Sequence, residues 1–170
     1  MSRSVSIGII NTTDMIAEVL LEQFADAAAD WNATLALFDT DAQSGDTALF
    51  NGRPALVRPL DEIDFSLLDL AFVCGDFAQQ QIDNAVAQSC KIIDLRRSAI
   101  TGHAIVAGVN DDQIVKYDIL RSPHPIAVCL APIIDALSQL QPVDSYAGTA
   151  MMPASEAGNA GIKALAAQTA

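Results

Sequence analysis

A chain of 170 residues with 51 % apolar side chains is long enough to bury a sizeable core and too apolar for bulk disorder. Nine Lys and Arg stand against 21 Asp and Glu, a net charge of −12, and the one adjacent basic pair is Arg96-Arg97, which argues against nucleic acid and anionic membrane as partners. No apolar run reaches the roughly 18 residues of a membrane span, and the start, MSRSVSIGII, runs directly into a strand-like segment, so the expectation is a cytoplasmic protein without an export signal. The three cysteines, Cys74, Cys90 and Cys129, are odd in number and form no C-x-x-C pair, so neither a disulfide framework nor a metal site is expected.

Val5 to Ile10 is a short apolar run rich in β-branched residues and reads as a buried strand. Asn11-Thr12-Thr13-Asp14 is a cluster of turn and cap formers, with Asp14 as the natural N-cap of a helix from Met15 to Ala29. That helix places Ile16, Val19, Leu20 and Phe24 at helical spacing. Thr34 to Phe38 is a second strand. Thr47 to Phe50 and Arg53 to Val57 flank Asn51-Gly52, a hairpin signal, and suggest a small antiparallel insertion.

Leu70 to Val73 is a third core strand, ending at Cys74-Gly75-Asp76. A helix from Ala78 to Gln88 is expected with Ile82, Val86 and Ala87 inward, then strands at Lys91 to Asp94 and Ala104 to Val109. Pro123-His124-Pro125 precedes a helix from Ile126 to Leu140 that is apolar on most faces, a pattern of burial. Val143 to Met151 reads as extended, and a last helix carries Ile162, Leu165 and Ala166.

Strands alternating with helices predict an α/β fold: a Rossmann-like, doubly wound, mostly parallel sheet with helices on both faces. In such sheets ligands sit beyond the carboxyl ends of the strands, at the topological switch point. Those ends are Asn11 to Asp14, Asp39-Thr40-Asp41, Cys74-Gly75-Asp76 and Asp94 to Arg97.

The pieces IINTTDMIAEVLLEQF, ALFNGRPALVRPL, AFVCGDF, KIIDLRRSAI, VAGVN, SPHPIAVCLAPIIDAL and MMPASEAGNAGIKALAAQTA follow one another along the chain. In this order they resemble the aspartate-semialdehyde dehydrogenase family, and most closely its Usg-type homologues. The last piece is similar to the opening of the family's second domain. The resemblance implies a dinucleotide-binding domain over residues 1–141 and the opening strand and helix of a second domain over residues 142–170. It also implies an NADP-dependent oxidoreductase activity, in which a cysteine thiolate attacks an aldehyde, hydride passes to NADP, and an acyl group is released to phosphate.

Residue by residue, the chain departs from that pattern. The family's glycine turn corresponds to Asn11, Asp14 and Ala17. Asn11 can take a left-handed conformation, and Ala17 allows close packing. Asp14 would cap the helix N-terminus and repel a phosphate, against the plain alternative of an ordinary N-cap. The degenerate cofactor positions are Asn11, Thr12, Thr13, Asp14, Asp39, Cys74 and Gly75. Asp39-Thr40-Asp41 disfavours a 2′-phosphate; its carboxylates either bind ribose hydroxyls, which favours NAD over NADP, or form a solvated acidic loop.

The family's nucleophilic cysteine corresponds to Pro125, which suits the first turn of a helix but offers no thiol. Cys129, one turn on, is either a substitute nucleophile or a small buried hydrophobe. Arg96 and Arg97 replace a Ser-Ser pair and either pair with the aspartates there or bind an anion. His124 reads as structural, donating to backbone or to Asp118. Residues 98–102 lack the substrate arginine, and Gly108 stands where a glutamate is expected.

The resulting expectation is a catalytically degenerate protein without a tightly bound cofactor. Two alternatives stand beside it: an oxidoreductase domain that still binds NAD or NADP, and a non-catalytic assembly or ligand-sensing module that pairs with a true family enzyme or takes a small molecule. Self-association through residues after Gln141 is expected, because an unpaired strand there would leave backbone groups along an edge.

Overall fold

The structure is a computed structural model that describes residues 4–27, 32–40, 46–50, 53–96, 99 and 101–169. Val5–Ile10 (β1) buries Ile7, Ile9 and Ile10, on both of its faces, and a strand so covered belongs inside a parallel sheet. It pairs in parallel with Ala33–Asp39 (β2) on one side and with Leu70–Val73 (β5) on the other. Beyond β5 follow Lys91–Asp94 (β6), Ile119–Arg121 (β8) and, at the edge, His103–Ala104 (β7), all parallel. Beyond β2 lies Arg53–Pro59 (β4), parallel to β2, with the antiparallel Thr47–Phe50 (β3) outermost. The order is β3-β4-β2-β1-β5-β6-β8-β7.

Helices cover both faces. Met15–Ala27 (α1) packs Ala17, Leu21 and Phe24 against Ile7, Ile9 and Leu37. Gln79–Ala87 (α2) packs Ile82 and Ala85 against Ile10, Val73 and Ile92 on the other face. Each buried isoleucine contributes about 1.5–3 kcal/mol. From β1 the chain turns to β2 on one side and later returns to β5 on the other, so the carboxyl ends of β1 and β5 form the switch point.

The expected α/β architecture holds, with corrections in detail. The hairpin is not a separate insertion: β4 joins β2, so the hairpin extends the main sheet at its edge. Its turn, Asn51-Gly52, lies outside the described residues, as do residues 28–31 at the expected end of the first helix. Val19 of α1 points to solvent, while Ala17 and Leu21 are buried. In α2 the inward residue is Ala85 rather than Ala87.

The strand expected over residues 104–109 stops at Ala104. The Asn110 side chain accepts from the Val106 N–H at 2.8 Å and donates to the Ala104 carbonyl at 2.9 Å, which folds the segment into a turn. β8, three residues long, has no counterpart in the sequence reading.

Residues 1–124 form one compact unit and residues 125–170 a second. The second contains Pro125–Leu140 (α3) and Gly158–Thr169 (α4), the latter entered through a 3₁₀ turn at Ala154–Ala157. α3 buries none of its residues, against the expectation from its apolar pattern. Residues 143–151, expected to be an opening strand, lie outside helix and strand and pair with no strand among the described residues.

Candidate functional site

The carboxyl ends of β1 and β2 meet in a closed hydrogen-bonded cluster. Asn11 takes the left-handed conformation, φ 64°, and turns the chain sharply out of β1. Its side chain lies against Gly75, where an added Cβ would come within 2.8 Å of the Asn11 Cβ. That close approach requires glycine at position 75. The Asn11 amide donates to Thr40 Oγ1 at 3.1 Å, and its Oδ1 is buried with no hydrogen-bond partner among the described residues.

Asp39, at the end of β2, is buried. Its Oδ2 accepts the Thr13 N–H at 2.9 Å, the Thr13 hydroxyl at 3.1 Å and the Thr12 hydroxyl at 3.2 Å. Asp14 caps α1: its Oδ1 accepts the Ile16 N–H at 2.9 Å, and its carbonyl accepts from Ala17 and Glu18. Two backbone donors of the kind a glycine turn would offer a pyrophosphate, the Thr13 and Ile16 N–H groups, are therefore used by carboxylates of the chain itself. Beside the cluster opens a cleft of about 220 Å³, walled in part by Thr12, Thr13, Asp39, Asp46 and Thr47. Its carboxylates oppose a phosphate.

On the other side of the switch, Asp94 at the end of β6 is fully buried. Arg96 grips it with Nε on Oδ1 at 2.9 Å and Nη2 on Oδ2 at 2.6 Å, and its backbone N–H adds a third bond to Oδ1. Nη1 donates to the Phe77 carbonyl at 2.6 Å, tying β6 to the loop after β5. The carboxylate hydrogen bond raises the Arg96 pKa further. Arg96 thus takes the paired role weighed in the sequence. Arg97 and Asp41 lie outside the described residues.

Cys74 sits between these groups. Burial above all, then Asp14 and Asp94, pushes its thiol up to about 12, so it stays protonated at neutral pH. Pro125 opens α3, as its fixed φ suits. Cys129 is exposed, which corrects the expectation of a small buried hydrophobe: α3 buries no side chain. Gly108, in the expected glutamate position, has φ 78° and donates its N–H to the Asp111 carboxylate. No group of three His, Cys, Asp or Glu side chains among the described residues is placed to hold a metal. Among the described residues no helix is long and apolar enough to cross a membrane.

Sequence reading placed Asn11 to Asp14 and Asp39 at one site, and the structure brings them together. It did not foresee that Thr12 and Thr13 would satisfy Asp39. It placed Asp94 at a strand end and weighed a pairing of Arg96 with the aspartates there, without naming Asp94 as the partner.

No family model matches the chain. It is 27 % identical over 176 residues to a USG-1 protein homolog of Azotobacter vinelandii, covering 99 % of this chain and 52 % of that one. It is 26 % identical over 187 residues to aspartate-semialdehyde dehydrogenase 2 of Vibrio cholerae, covering 100 % of this chain and 52 % of the relative. A probable aspartate-semialdehyde dehydrogenase from Pseudomonas aeruginosa superposes with a TM-score of 0.78 over 98 % of this chain and 52 % of its own, at 21 % identity. Aspartate semialdehyde dehydrogenase II from Vibrio cholerae gives 0.66 over 79 % of this chain and 43 % of its own, at 22 % identity. The homologues are thus those the sequence resembles, and the fold is shared. The chain spans about half the length of the curated relatives it matches, which fits an N-terminal half.

Proposed function

We propose that this chain is a catalytically silent relative of aspartate-semialdehyde dehydrogenase that binds neither NADP nor NAD tightly. The observation that carries this reading is the closure of the β1–α1 turn by Asp39, whose Oδ2 takes three donors from Thr12 and Thr13. A phosphate arriving there would have to displace a buried carboxylate and face Asp14 at the helix start. The reaction that the resemblance implies also needs a thiolate at the start of α3. Pro125 has none, and Cys129 lies a turn further along the helix. Free thiols at Cys74, Cys90 and Cys129 support a reducing, cytoplasmic location.

A non-catalytic module that senses a small molecule is the second reading, favoured by the cleft beside Asp39 and Asp46. Carboxylates suit a ligand with hydroxyl or ammonium donors better than one with phosphates.

Calorimetric and thermal-shift titrations with NADP and NAD test the proposal. A ligand at 100 times its dissociation constant would raise stability by about 2.7 kcal/mol, and no such rise is expected with either. Incubation with aspartate semialdehyde, NADP and phosphate should yield no NADPH. Micromolar NADP binding, or turnover, would overturn the reading.

A further inference from the structure

The cleft beside Thr12 and Thr13 continues along the first helix. Glu18, Leu21, Glu22 and Ala25 are spaced i, i+3, i+4 and i+7, so they form one stripe of α1. That stripe, with Ala48 and Leu49 of β3, walls a second cleft of about 640 Å³, which Thr12 and Thr13 also line. Thr12, Thr13 and Ala48 line the recess of about 220 Å³ beside Asp39 and Asp46 as well, so the two spaces adjoin. The larger one falls within the size of small-molecule sites, roughly 300–1,000 Å³.

The lining has two kinds of group. Leu21 is buried, Ala25 and Ala48 are half-buried and Leu49 is exposed, which makes an apolar strip between α1 and β3. Glu18 and Glu22 are exposed and four residues apart on the helix, a like-charge pair that a cation between them would relieve. Asp39 and Asp46 place two further carboxylates along the adjoining recess. Among the described residues, every charged side chain that lines the two spaces is acidic.

We propose that the joined cleft binds an aliphatic diamine, with one ammonium at Glu18 and Glu22, the methylene chain along Leu21, Ala48 and Leu49, and the other ammonium in the recess of Asp39 and Asp46. The proposal rests on the ligand-sensing reading of that recess and narrows it to two cationic groups on an apolar chain. A zwitterion or a phosphate would bring an anion among carboxylates. A neutral polyol would make hydrogen bonds about half as strong as charge-assisted ones. A bare metal ion would leave the apolar strip unused, and no three of these carboxylates are placed to hold one.

Calorimetric titration of the full chain with 1,5-diaminopentane tests this. At low salt a Kd below about 1 mM is expected, with n-pentylamine at least about tenfold weaker and no measurable heat from 1,5-pentanediol. Glu18→Gln together with Glu22→Gln should weaken the diamine at least about tenfold. Both side chains are exposed, so an unchanged circular dichroism spectrum is expected. Asp83→Asn together with Asp112→Asn removes two charges elsewhere, on the helix over the opposite face and in the turn before β8. That pair should weaken the diamine by less than about twofold, because screening confines exposed charges to short range. Equal losses in the two double variants would reduce the binding to net charge and overturn the proposal. So would n-pentylamine binding as tightly as the diamine, or tetralysine binding more than about tenfold tighter, which would assign the cleft to a basic peptide. Binding of adenosine or the diol without the diamine would overturn it and leave the ligand-sensing reading standing. Silence from all of these ligands would overturn both.

Discussion

Asp39 and Asp94 occupy matching places. Each ends the strand next outward from the central pair, β2 beside β1 and β6 beside β5, and each is buried. Their closures differ. Asp94 is held from within its own strand end, by the guanidinium and backbone of a residue two positions on. Asp39 reaches across to a turn 26 and 27 residues earlier and takes neutral N–H and O–H donors there. A local, charge-matched clasp serves rigidity, since it moves with its strand. A long-range clasp of neutral donors joins two segments and decides what else can enter between them.

The largest test of this contrast falls on the first clasp. Asp94→Asn leaves the Arg96 guanidinium largely buried without its carboxylate and should cost about 3–5 kcal/mol in urea unfolding. A cost below about 1 kcal/mol would mean that the pair contributes no rigidity and would erase the distinction. Asp39→Ala should cost less, about 2 kcal/mol, because neutral donors lose less than a buried ion does. It should also be the variant in which any affinity for NAD first appears in calorimetry.

Smaller effects belong to the turn itself. Asp14→Ala removes the N-cap and should cost about 1 kcal/mol. Asn11→Gly should gain about 0.5–1 kcal/mol, since glycine holds φ 64° without strain and the buried, unpartnered Oδ1 disappears. A further signal, read at alkaline pH, is in the thiols. Cys74 is raised to about 12 and Cys90 to about 11, both from 9.0 and both chiefly by burial. The folded state holds these protons more tightly, so the stability they contribute is present below pH 9.0 and is lost as pH rises from there towards 11 and 12. Alkylation of the native chain at pH 8 should modify Cys129 alone, and modification of Cys74 would contradict its burial.

The central strands were legible because alternating faces and β-branched runs mark buried strands: β5 and β6 have the predicted bounds. β8 was not, because three residues carry too little pattern to stand out from their loop. The run after His103 looked strand-like, yet one asparagine side chain, Asn110, competes for its backbone groups. At the site, the residue types in the turn were readable from order alone. The Thr12 and Thr13 bonds to Asp39 were not, since they depend on a register between β1 and β2 that only pairing fixes.

The far edge of the sheet has a consequence for the order in which the chain folds. β7 precedes β8 in sequence but lies outside it, joined to the sheet only through β8. During synthesis His103 and Ala104 emerge first and have no neighbour to join until Ile119–Arg121 has docked on β6. That margin therefore assembles backwards, the earlier strand last, and should be the first part of the sheet to open. In native-state hydrogen exchange, the Ile105 N–H, bonded to the Arg121 carbonyl at 3.1 Å, should exchange well before the amides of β1.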